Sequence, residues 1–196
     1  MSAELVVDLF VSVDGWAGGD GLPAYFGYFG AELEEWIRSE KAIPELVLMG
    51  RRTYDAFRAL PADAWADDHA HLMGLDKVVF SRELESVDWP RTQICQDLIT
   101  DVEQLKAAST ARLRTWGSMS LVGQLLRADL VDRLRLLRFP LLAGDAGRQS
   151  AFAQVPRVHL DLLSTRVLDD RLVLDEYRPA RGRTAEAEPG PELTGS

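Results

Sequence analysis

Twice in this chain a short strand-like run ends in a glycine and passes straight into a helical pattern. Leu46-Val47-Leu48-Met49 leads into Gly50-Arg51-Arg52-Thr53-Tyr54, and Arg114-Thr115-Trp116 leads into Gly117-Ser118-Met119-Ser120-Leu121. Strands joined through helices pair in parallel, so the repeat commits the chain to a sheet with helices packed on it. It also puts the first turn of a helix, with its unpaired N–H groups and positive dipole end, beyond each strand. Such turns bind phosphate. Two of them in one small domain, one with consecutive arginines, suit a ligand with more than one phosphate group, such as a phosphorylated dinucleotide.

The remaining segments continue the alternation. Residues 5–13 read as a strand that enters a glycine-rich loop at Asp14-Gly15. Phe26, Phe29, Leu33, Trp36 and Ile37 fall at helical spacing over 26–37, although Gly27 and Gly30 weaken the first turns, and Pro44 closes that helix before a strand at 45–49. Residues 53–60 form a short helix stopped by Pro61, and a polar loop with Asp63, Asp67 and Asp68 follows. Strands at 77–80, breaking at Ser81-Arg82, and at 92–95 precede a helix that Asp97 or Thr100 caps. Strand 113–116, helix 118–127 and strand 133–139 come next. Residues 158–167 and 172–177, joined at Asp169-Asp170-Arg171, form an antiparallel hairpin. The expectation is a single-domain α/β fold over 1–179: a mixed sheet, mainly parallel with a C-terminal antiparallel hairpin, and helices on both faces. Residues 180–196 lack a hydrophobic period and are expected to form a disordered tail.

Composition narrows the partner. With 46% hydrophobic residues, 196 residues suffice for one full core. The net charge of −9 repels nucleic acid and anionic membrane alike, so a small molecule is the expected partner. No stretch approaches the roughly 18 apolar residues that span a bilayer. The opening Met-Ser-Ala-Glu-Leu lacks the basic and apolar regions of a signal peptide, which makes the cytoplasm the expected location. The single cysteine, Cys95, sits in an alternating stretch and is expected as a buried strand residue. His69, His71 and His159 form no ligand set of recognised spacing, so no metal is expected.

Sites in open α/β sheets lie beyond the C-terminal strand ends, where Asp14-Gly15, Gly50-Arg51, Ser81-Arg82 and Gly117-Ser118 all emerge. The runs Val11-Ser12-Val13-Asp14-Gly15, Leu48-Met49-Gly50-Arg51-Arg52-Thr53-Tyr54, Val79-Phe80-Ser81-Arg82, Trp116-Gly117-Ser118 with Leu121, and Leu130-Val131-Asp132-Arg133-Leu134-Arg135-Leu136 resemble, in order, the dihydrofolate reductase-like proteins. The likeness is greatest to the C-terminal reductase domain of bifunctional riboflavin-biosynthesis deaminase/reductases, and it covers residues 4 to about 178. It implies an NADPH-dependent reductase that transfers hydride to a small, pterin- or pyrimidine-like substrate. Carried over residue by residue, it puts Gly50, Arg51, Arg52, Thr53, Ser81 and Arg82 at the 2′-phosphate and pyrophosphate. Gly117, Ser118, Met119, Ser120 and Leu121 fall at the second turn, and Val13, Asp14 and Gly15 beside the nicotinamide. Physical chemistry agrees, because guanidinium groups bind phosphate through charge-assisted bonds, and paired arginines at a helix start oppose the dipole unless an anion is bound. Relatives of this kind often form homodimers, which would suit the hairpin and the apolar segment 134–142.

Departures from the pattern leave choices open. Dihydrofolate reductases carry Gly-Gly at the second turn, and here it is Gly117-Ser118. They also carry an acid on the first helix, a place Glu34 comes nearest to on a helical wheel. Asp14, Glu34 or water would then supply the proton, unless Asp14 only caps a turn and Glu34 is an ordinary border residue. Tyr25, Phe26 and Phe29 either wall a substrate pocket or belong to the core. Arg148 is a candidate for a substrate phosphate, but the adjoining Gly144-Asp145-Ala146-Gly147 brings in a negative charge that counts against a phosphoribosyl group. A catalytically silent NADP-binding or regulatory protein is the alternative.

Overall fold

Side-chain alternation along β1 (Leu5–Ser12) sends Leu5, Val7, Leu9 and Val11 into one core and turns Asp8 and Phe10 to the opposite face. A computed structural model describes residues 2–181. In it β2 (Glu45–Gly50), β3 (Asp76–Phe80), β4 (Thr92–Cys95), β5 (Arg112–Thr115) and β6 (Arg133–Phe139) run parallel to β1, and β7 (Leu160–Leu168) and β8 (Leu172–Pro179) complete the sheet as an antiparallel pair. The eight strands lie in the order β4-β3-β2-β5-β1-β6-β8-β7. α4 (Leu98–Ala108) and α5 (Met119–Arg127) cover the first face through Val102, Leu121, Val122 and Leu125. α1 (Ala31–Lys41), α2 (Arg51–Arg58) and α3 (Ala66–Gly74) cover the second through Leu33, Trp36, Tyr54 and Leu72. This is the α/β arrangement expected from the sequence. Most of the expected tail, 182–196, lies outside the described residues.

Two elements differ from expectation. The first helix starts at Ala31, and Ala24–Gly27 is instead a 3-10 turn in which Tyr25 and Phe26 take φ of 50° and 52°. Its cap comes from the far end of the chain: Asp169, in the β7–β8 turn, accepts from Glu32 N–H at 3.0 Å and Leu33 N–H at 3.2 Å, while its own N–H donates to the Glu32 carboxylate. A Cβ on Gly30 would lie 2.2 Å from the Asp169 carboxyl carbon, so only glycine admits this cap. The polar loop expected after Pro61 contains α3. Asp67 and Asp68 occupy its first turn, where the dipole favours acids, and Leu72 is fully buried. Its C-terminal end is held by Lys77 Nζ, which donates to the carbonyls of Leu72 and Leu75 at 2.8 and 2.6 Å.

Candidate active site

Because β2 and β5 are neighbours, the two glycine turns meet. Ser118 Oγ accepts a hydrogen bond from Gly50 N–H at 2.7 Å and lies 2.6 Å from Thr53 Oγ1. The contact is tight: a Cβ on Gly117, at φ +62°, would come within 2.9 Å of Thr53 Cγ2. Neither α2 nor α5 has a side-chain N-cap, which leaves first-turn N–H groups available to a ligand.

Both turns open into a cavity of about 1430 Å³ at the C-terminal edge of the parallel strands. A smaller hollow of about 510 Å³, beside Lys106 and Asp132, lies away from the glycine turns. The large cavity has two ends. One is bounded by the glycine turns with Arg51, Arg52, Ser81 and Arg82, and the other is a slot between α1 and the α2–α3 segment. Phe10, Tyr25 and Trp36 line the slot on the α1 side, and Phe57, Trp65 and Trp116 line it on the α2 side. Phe57 stacks on Trp65 with centroids 5.2 Å apart, and Phe10 lies 5.5 Å from Tyr25.

Beneath the slot runs a buried chain of ions. Asp8 accepts from Arg114 Nε and Arg135 Nε, each at 2.6 Å; Arg135 reaches Glu40 at 2.7 Å; Arg112 joins Glu40 at 2.7 Å to Glu45 at 2.8 Å. Burial by itself would push the Asp8 and Glu40 carboxyls up, but the facing guanidiniums outweigh it and hold both below the usual range. Three arginines thus balance three carboxylates. Tyr25 is pushed up to about 12, chiefly by burial and also by Asp68, so its phenol stays neutral.

The structure gathers most of the expected residues around this cavity. Gly50, Arg51, Arg52, Thr53, Ser81, Arg82, Gly117, Ser118, Met119, Ser120 and Leu121 line it, as do Tyr25, Phe26 and Arg148. Ser81 Oγ also accepts from the N–H groups of Glu83 and Leu84, fixing the turn after β3. Phe26 is nearly all core, packed on Phe139 with centroids 5.3 Å apart.

Val13, Asp14, Gly15, Phe29 and Glu34 do not line the cavity. Asp14 is engaged in a turn: it accepts from Ser12 Oγ at 2.6 Å and from the N–H groups of Ala143 and Gly144 at 3.0 and 2.8 Å. Those bonds, the one from Ser12 foremost, hold its pKa down to about 2, and they tie β1 to the loop after β6. Glu34 is exposed on α1, and Phe29 is half exposed with its ring set edge-on against Tyr25. The sequence argument missed Asp8, Phe10, Lys41, Phe57, Trp65, Asp68, Arg114 and Trp116. Strand parity alone would have put Asp8 and Phe10 together on one face of β1.

A family profile described as the RibD C-terminal domain matches residues 3–174. An uncharacterized Bacillus subtilis protein, YyaP, is 25% identical over 138 residues, which span 68% of this chain and 73% of that protein. A putative riboflavin biosynthesis protein from Shewanella sp. PV-4 superposes with a TM-score of 0.68 at 20% identity, over 92% of this chain and 100% of the other. RibD from Acinetobacter baumannii gives 0.65 at 15% identity over 91% of this chain, which spans only 58% of that protein. An Enterococcus faecalis dihydrofolate reductase complexed with NADP(H) gives 0.60 at 13% identity, over 91% and 99% of the two chains. The fold is that of the dihydrofolate reductase-like proteins, and the chain belongs to the RibD C-terminal domain family.

Proposed function

We propose that this chain is an NADPH-dependent reductase acting on a small, flat, pterin- or pyrimidine-like ring. The observation that carries the reading is one cavity with two unlike ends: stitched glycine turns with exposed arginines at one, aromatic walls at the other. Its volume exceeds the roughly 300–1,000 Å³ of a typical single-ligand pocket, leaving room for a dinucleotide and a substrate together. The first-turn amides of α5 suit a pyrophosphate, and Arg52 and Arg82 suit a 2′-phosphate. When bound, NADPH would supply the hydride. The chain's own residues would orient the ring between aromatic walls, and Tyr25 would offer a neutral hydroxyl. Asp8, held ionised between its arginines, would not donate the proton. A deaminase/reductase from Thermotoga maritima, named for reducing a phosphoribosylaminouracil, and dihydrofolate reductase share the fold, which fits a ring substrate. A homodimer belongs to the same reading, since β7 lies at the sheet edge with Leu162 60% and Val167 58% exposed.

The test is turnover. With NADPH and dihydropterins or aminopyrimidinones, reduced-nicotinamide absorbance should fall with at least one substrate. NADPH binding without turnover on any would favour a silent dinucleotide-binding protein, the reading that the absence of a poised acid among the cavity residues keeps open. No NADPH binding would contradict both.

A further inference from the structure

The cations of the cavity differ from one end to the other. At the phosphate end Arg51 is shared between Asp55 and Glu83, each at 3.3 Å, whereas Arg52 is exposed and makes no salt bridge among the described residues. Arg82 is exposed too and makes no such bridge among them, though its charge reaches Asp97. At the slot end each lining cation already has a carboxylate. Lys41 Nζ lies 2.6 Å from Asp68, Arg114 Nη2 lies 2.6 Å from Asp8, and Arg148 Nη2 lies 2.7 Å from Asp20. Arg148 is further committed through Nη1 to the carbonyls of Asp145 and Gly147, at 2.7 and 2.9 Å.

Resting on the reductase reading above, we infer that the ring taken by the slot carries no phosphate ester, so that the phosphates held by this cavity are the cofactor's alone. A phosphate dianion in the slot would have to pull Lys41 or the buried Arg114 from its carboxylate, stranding that carboxylate beside a second negative charge, or lie beside Asp8 and Asp68 with those cations already committed. A neutral flat ring meets neither obstacle and gains the aromatic faces of Phe57, Trp65 and Tyr25. The same fold thus sets an end that keeps two arginines outside any salt bridge among the described residues against one whose lining cations are all paired.

The experiment titrates the full chain with an aminopyrimidinone and with its ribosyl 5′-phosphate, following the fluorescence of Trp36, Trp65 and Trp116, which line the slot. No cofactor is added, so the readout survives a failure of NADPH binding; a protein that takes the free ring but no NADPH supports this inference while refuting the reductase. The free ring is expected to bind at least about tenfold more tightly than the phosphate ester. Asp68→Asn, which releases Lys41, should raise the affinity for the ester severalfold relative to that for the free ring. Equal or tighter binding of the ester to the unaltered protein overturns the inference, and so does failure of the free ring to bind.

Discussion

Ser118 holds Gly50: its hydroxyl oxygen accepts the Gly50 N–H at 2.7 Å across a gap of 68 residues, from a backbone that itself has φ +65°. That bond makes one site of two glycine turns that the sequence shows only separately. Ser118→Ala removes it and the contact to Thr53 Oγ1, leaving the Gly50 N–H unpaired. A stability loss of about 1–3 kcal/mol is expected, with weaker NADPH binding as the turns drift apart. Calorimetric Tm and a binding titration check it; no change in either would show the bond to be idle.

Asp14 is expected to govern loop order and not proton supply. Its folded pKa of about 2 lies below its ordinary value of 3.8, so its stabilising contribution is complete above about pH 4 and fades as the pH falls through 2. Asp14→Asn should therefore lower kcat/KM modestly while leaving the shape of the pH–rate profile as it was. Loss of a titrating limb from that profile would restore Asp14 as an acid.

Asp169 caps α1 from 137 positions beyond Glu32, with hydrogen bonds in both directions. Asp169→Ala should cost about 1–2 kcal/mol, which for a chain of this size lowers Tm by roughly 2–8 °C. A thermal melt decides, and a Tm within a degree of the parent would mean that the cap contributes nothing.

How much of this was legible in the sequence depended on the range of the interaction concerned. The strands and both glycine turns could be found because β-branched runs and glycine act locally, within a few residues. The start of α1 could not, because its cap lies on the β7–β8 turn and the local signals, Gly27 and Gly30, point only to irregularity. α3 was hidden because acids and histidines crowd its sequence and Leu72 is its one fully buried apolar side chain. The floor of the slot was missed for a related reason: Asp8, Arg114 and Arg135 look like solvated strand residues until the sheet order brings β1, β5 and β6 side by side.

That floor is expected to be intolerant of one-sided change. Asp8→Asn keeps the shape but leaves Arg114 and Arg135 facing each other without their shared counter-charge, a loss of about 3–5 kcal/mol. Urea unfolding gives the measurement. A midpoint unchanged from the parent would mean that the arginines find other partners.

In the proposed reductase the arginine end of the cavity recognises the 2′-phosphate of NADPH. It is tested most directly by titrating NADPH and NADH into the parent and into Arg52→Ala/Arg82→Ala, with affinities from calorimetry. The parent is expected to prefer NADPH by at least about tenfold, and the double variant to lose most of that preference while binding NADH nearly as before. Equal affinity of the parent for the two cofactors, or equal losses for both in the variant, would contradict it.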